Sequence, residues 1–132
     1  MQRVIFILYV SDQKRSRQFY ESTLGYAPVL DVPGMTEFHL GGNTFLGLMP
    51  EVGIVRLLGP DMIDPAQGNG IPRAELYLHV DDPQKAVERA LAAGGTMLSP
   101  LLPRDWGDRV AYIKGLDGHI LALASPHKEA TQ

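Results

Sequence analysis

The chain of 132 residues contains no cysteine, which removes disulfides, thiolate nucleophiles and cysteine-type zinc sites. It has no basic run longer than the cluster of Lys14, Arg15 and Arg17, and its formal net charge is −3. Nucleic acid and anionic membrane surfaces are therefore poor partners. The apolar N-terminal stretch covers only Val4–Val10, too short to span a bilayer, and no signal-peptide cleavage pattern follows it. A cytoplasmic protein is expected. There is a single tryptophan, Trp106.

What is present is a chain 45% hydrophobic with ordinary charge content, enough for one soluble globular domain with a real core. Its organising stretch is Ala74–Asp82, A-E-L-Y-L-H-V-D-D. Side chains alternate along a strand, so Leu76, Leu78 and Val80 share one face and Glu75, Tyr77 and His79 the other. Asp82 and Pro83 then read as a helix start: a capping carboxylate, followed by a proline whose missing N–H costs nothing there. Val4–Asp12 repeats this sentence with changed words. Aligning Asp12 with Asp82 also aligns Val10 with Val80, Leu8 with Leu78 and Gly25 with Gly95. The chain is an internal repeat.

In order, the first strand (3–10) is apolar on both faces and is expected to be central and covered on both sides. Asp12 caps a helix to about Thr23 that buries Phe19, Tyr20 and Leu24. Strands 27–32, 36–40 and 44–49 follow, joined by Pro33-Gly34 and Gly41-Gly42-Asn43. Gly47 within the last strand either marks a bulge or leaves room for something approaching the backbone. Residues 50–73, with one apolar run at Ile54–Leu58, read as an irregular loop. Such a loop is a lid, a binding segment, an arm to another subunit or a plain connector.

The second copy follows with a strand at 74–81. A helix from Pro83 to about Ala93 has Val87, Ala90, Leu91 and Gly94 on one face. Strands near 96–101, 109–114 and 119–124 complete it, and the tail after Pro126 is expected to fray. This is one domain, 1–132: module one about 3–49, connecting loop 50–73, module two about 74–125. One strand, one helix and three strands, stated twice, is an α+β pattern. A lone curved four-stranded sheet leaves one face bare, so the two copies should set their concave faces around a shared cavity.

The repeat, the V-x-D helix entries, Phe19-Tyr20, W-G-D-R at Trp106–Arg109 and D-G-H at Asp117–His119 together resemble the vicinal oxygen chelate superfamily. That group includes glyoxalase I, bleomycin-resistance proteins, fosfomycin-resistance proteins and extradiol dioxygenases. The resemblance covers about Val4 to Ala124. It implies two βαβββ modules forming a curved, eight-stranded open barrel around a central cavity. It does not specify a reaction, because one scaffold carries very different chemistries.

In metal-using members, the resemblance implies ligands from the first and last strands of each module. By position these sites fall at Ile5, Glu75, Gly47 and Ala122. Only Glu75 is able to coordinate, and a divalent ion needs several donors. His79 shares the face of Glu75 but stands two rungs along, about 13 Å away at strand rise. No metal and no other cofactor is expected. What the substitutions create is space: Gly47 and Ala122 remove bulk, and Ile5 makes that wall apolar. With Ile7, Tyr9, Tyr77, His79, Trp106 and Arg109 as further walls, the cavity suits a small organic molecule held by apolar contact and a few polar groups. Trp106 either stacks on a flat ligand or plugs the barrel end.

Three readings of Glu75 stand. It is a desolvated acid–base with a raised pKa, a partner of Arg104 or Arg109 in a structural ion pair, or the partner of a cationic ligand. Two functions follow: a metal-free binding protein for a small molecule, or a lyase, isomerase, hydrolase-like or dioxygenase-type enzyme using Glu75 as acid–base or as a ligand to a divalent metal held in an unfamiliar way. Chelation is expected to leave the melting temperature unchanged, and leucine at Gly47 or Ala122 to be tolerated if they line an open cavity. A homodimer is expected through Ile54–Leu58 and Met62–Ile63, since sheet edges and apolar surface are usually covered.

Overall fold

Two aspartates turn strands into helices at matching places in the repeat. A computed structural model describes residues 2–127. In the first module β1 (Val4–Val10) leads to Asp12, whose Oδ1 accepts the Arg15 backbone N–H at 3.0 Å, and α1 (Gln13–Leu24) begins. β2 (Leu30–Val32), β3 (Met35–Gly41) and β4 (Thr44–Pro50) follow. The connecting segment contains α2 (Glu51–Leu58) and a short 3-10 turn at Pro65–Gly68. In the second module β5 (Glu75–His79) leads to Asp82, whose Oδ1 accepts the Lys85 N–H at 3.1 Å to start α3 (Pro83–Ala92). β6 (Thr96–Pro103), β7 (Asp108–Lys114) and β8 (Ile120–Pro126) complete it. Each carboxylate cap contributes about 0.5–2 kcal/mol.

The strands form two four-stranded sheets, ordered β1-β4-β3-β2 and β5-β8-β7-β6, with β1 parallel to β4 and β5 parallel to β8. Both βαβββ modules are therefore present, as α+β units. Within the chain the sheets share no backbone pairing, so the barrel stands as two separate halves. One core joins them. Val10, Phe38, Leu46 and Leu48 of the first sheet meet Ile113, Leu121 and Leu123 of the second, with Phe19, Ala86 and Ala90 of the helices among them. Arg89 of α3 clasps the end of α1, its Nε donating to the Ser22 carbonyl at 2.9 Å, a favourable place for a cation at a helix C-terminus.

Four expectations are corrected. β1 is an edge strand, not a central one, because only β4 pairs with it, and Phe6 and Ile7 remain exposed. The run at Ile54–Leu58 is helical: Glu51 in the first turn and Arg56 in the last match the helix dipole, and Ile54 packs inward. That leaves Val52, Leu57 and Leu58, not Ile54, on the surface. β2 is short, and of residues 27–29 only Val29 donates to β3, at the Glu37 carbonyl. α3 buries Pro83, Ala86, Val87 and Ala90 rather than Leu91, because its small-residue side allows close approach to the sheet and α1.

Among the described residues, no helix is long and apolar enough to cross a membrane. From residue 128 onward the expected frayed tail lies outside the described residues.

Candidate functional site

Alternation on β5 sends Leu76 and Leu78 into the shared core, so Glu75, Tyr77 and His79 lie on the sheet's other, open face. Register sets Tyr77 and Tyr112 on either side of Ala122, and His79 and Val110 on either side of Ala124. Above them stands the loop between β6 and β7. Arg104 pins that loop, donating from Nη2 to the Pro100 and Val110 carbonyls (2.8 Å each) and to Ser99 Oγ (2.9 Å).

The pinned loop delivers two side chains. Trp106 Nε1 donates to the Tyr77 hydroxyl at 2.9 Å, and that hydroxyl donates to Asp108 Oδ2 at 2.5 Å. The same carboxylate oxygen lies 3.2 Å from His79 Nε2, and the Tyr77 and His79 rings meet at 5.5 Å. Asp108 is mostly sheltered, with 15% of its side chain exposed, whereas Trp106 is 58% exposed. Burial and the hydrogen bond to Asp108 hold the Tyr77 phenol above its ordinary pKa, and the Trp106 N–H works against them. The result is a fixed polar chain beside a large, uncovered aromatic surface.

Other expected residues fall elsewhere. Ile5, Ile7 and Tyr9 lie on the open face of the first sheet, facing Phe45, Gly47 and Met49 in register. Gly47 opens no space: a Cβ there would stand 3.1 Å from Ile7, 3.2 Å from Ile5 and 3.4 Å from Met35. Ala122 is fully buried, packed with Val110, Ala124, Tyr77 and Tyr112. Both small residues are filled by neighbours on their own face, so the expected void at these positions is absent. Arg109 alternates with Val110 and lies on the core side, donating to Ser125 Oγ at 3.2 Å. It does not face Tyr77.

Glu75 is exposed, which removes the desolvation expected of it. Arg104 and Arg109 are both engaged elsewhere, so neither ion pair forms. Nor does the inherited metal position fit an ion: Ile5, Gly47 and Ala122 carry no side-chain donor, leaving one carboxylate. Among the described residues no group of three His, Asp or Glu side chains is placed to hold a metal. Trp106 is not buried within this chain.

Sequence reasoning missed Asp108, Tyr112 and the loop-pinning role of Arg104. Asp108 was visible within W-G-D-R, and its parity with Val110 and Tyr112 would have placed it beside Tyr77.

Paired βαβββ modules, parallel outer strands and open sheet faces define a protein built on a duplicated module, with its polar groups gathered on one open face. The family model for the Glyoxalase/Bleomycin resistance protein/Dioxygenase superfamily matches residues 3–123, and the chain belongs to that superfamily. An uncharacterized Mycobacterium bovis protein is 27% identical over 126 residues, covering 92% of this chain and 82% of its own length. Among solved structures, a glyoxalase-related enzyme from Fulvimarina pelagi superposes with TM-score 0.77 at 25% identity, covering 95% of this chain and 88% of its own. A Burkholderia phytofirmans glyoxalase/bleomycin resistance protein/dioxygenase family enzyme superposes with TM-score 0.75 at 15% identity, over 93% of this chain and 97% of its own, and so attests the fold alone.

Proposed function

We propose that this chain is a cytoplasmic, homodimeric member of the superfamily that binds a small, flat organic molecule without the family's metal. The ligand lies on the open face of the second sheet, stacked on Trp106 and oriented by the Tyr77–Asp108–His79 group. One observation carries this reading: Trp106 is tethered through its N–H to Tyr77 while its ring stays largely uncovered. A rigid, exposed aromatic already bears its ordering cost and has surface left to bury. The donor-poor set at Ile5, Gly47 and Ala122 supports metal independence.

As the only tryptophan, Trp106 reports its own site. A panel of planar aromatic molecules is expected to include binders that change its fluorescence saturably, equally with and without chelator. Chelation is also expected to leave the melting temperature unmoved. A stoichiometric metal whose removal abolishes binding, or no saturable change across the panel, would overturn the reading.

A second reading is acid–base catalysis of a lyase or isomerase type. Two observations favour it: Tyr77 and His79 converge on one oxygen of Asp108, and the Fulvimarina pelagi relative is glyoxalase-related. The exposed carboxylate of Glu75 lies on the same face. Turnover lost in Asp108→Asn while binding persists would favour this reading over simple binding.

A further inference from the structure

A trough runs along the free edge of β1, away from Trp106. Its larger lobe, about 620 Å³, lies between β1, the start of α2, residues 65–72 and the β7–β8 turn. A smaller lobe, about 420 Å³, continues between β1 and β5, and the two share Ile7, Leu8, Ile71, Pro72 and His119. Neither lobe includes Tyr77, His79 or Trp106. The space matches that of sites for drug-sized molecules, roughly 300–1,000 Å³.

The lobes differ chemically. The smaller is walled by Phe6, Leu76 and Ile120, with Arg73 and Glu75 offsetting each other at its margin. The larger receives the carboxyl groups of Glu51 and Asp117. Asp117 is held in place, accepting the Ser11 N–H at 3.0 Å and standing 3.5 Å from the Ser16 hydroxyl. Burial, together with the charges of Asp117 and Asp64, raises the Glu51 pKa. Burial lowers that of His119 against the pull of Asp117, so this imidazole adds no positive charge at neutral pH. Lys114, the cation lining this lobe, is exposed. Two carboxyl groups thus line one lobe, and Ile7, Leu8, Ile71 and Pro72 make the shared middle of the trough largely apolar.

We propose that this trough is a second binding site, for a small amphipathic organic cation. Its ammonium or guanidinium group sits between Glu51 and Asp117, and its apolar part lies along Ile7, Leu8 and Ile71. A cation relieves the repulsion among these carboxylates, whereas an anionic ligand adds to it. Since no three His, Asp or Glu side chains are placed to hold a metal among the described residues, the site suits an organic cation rather than a metal ion.

Octylamine, octanoate and octanol share one apolar chain and differ in the head group. Titrated into the full chain and followed by amide NMR, octylamine is expected to give saturable shifts at Asn69–Ile71 and Gly118–His119. It should leave the Trp106 indole signal in place. Octanoate should not bind, octanol should bind more weakly, and Glu51→Gln should weaken octylamine roughly fivefold, the scale of one partly screened charge pair. Equal binding of all three, shifts centred on Trp106, or no saturable shift would overturn the proposal. The comparison of the three ligands on the unaltered chain stands even if the Glu51 variant fails to fold.

Discussion

Gly118, in the β7–β8 turn, lies against Gly70 of the connecting segment so closely that a Cβ built on Gly118 would stand 2.7 Å from the Gly70 Cα. No side chain fits between them. This backbone-on-backbone contact is where the connecting segment is pressed onto the second module, at the rim of the trough along β1.

Gly118→Ala should therefore cost more than conformation alone. Gly118 and Gly34 both have left-handed φ values, +88° and +94°, but nothing stands within 4 Å of a Cβ at Gly34. Alanine at Gly34 should destabilise by about 1 kcal/mol, the strain of the backbone angle, and alanine at Gly118 by about 1–3 kcal/mol. Urea unfolding of the two variants measures the difference. Equal losses would mean that the contact contributes nothing.

Gly47→Leu and Ala122→Leu should each destabilise by about 1–3 kcal/mol through overpacking, because Ile5, Ile7 and Met35 crowd the first site and two tyrosines flank the second. Chemical denaturation checks this. Unchanged stability of both would restore the open cavity that the sequence suggests.

The Tyr77 phenol provides a signed test of the hydrogen-bonded chain. Removing the carboxylate with Asp108→Asn should lower its pKa, since that partner favours the protonated phenol. Removing the indole donor with Trp106→Phe should raise it, since that N–H favours the phenolate. Carbon NMR titration of the tyrosine ring resolves the two. Shifts of the same sign would break the assignment of donors and acceptors.

The oligomer is testable on the same surface logic. Val52, Leu57, Leu58 and Ile63 are exposed on and after α2, with Leu57 at 70%, and both β1 and β5 leave free edges. Light scattering across a wide dilution range should give a mass twice 14.5 kDa, and Leu57→Glu with Ile63→Glu should reduce it to one chain. A single-chain mass for the unaltered protein throughout would exclude the dimer.

The sequence by itself determined the duplicated βαβββ plan. Asp12 and Asp82 cap helices through a backbone N–H three residues on, and strand alternation divides Leu76 and Leu78 from Tyr77 and His79. Both rules act within a few residues, so they survive translation into one dimension. The helix at Glu51–Leu58 was hidden because Gly53 and an apolar run interrupted only by Arg56 mask its period. Only the tertiary structure decided what each face meets. Tyr77 reaches Asp108 across 31 positions and Trp106 across 29. Arg109, one residue beyond Asp108, points to the opposite side of the sheet. Whether Gly47 opens a cavity depends on how Ile5, Ile7 and Met35 settle over it. Such contacts depend on strand register and loop closure between distant segments, and a shift of one residue exchanges the two faces.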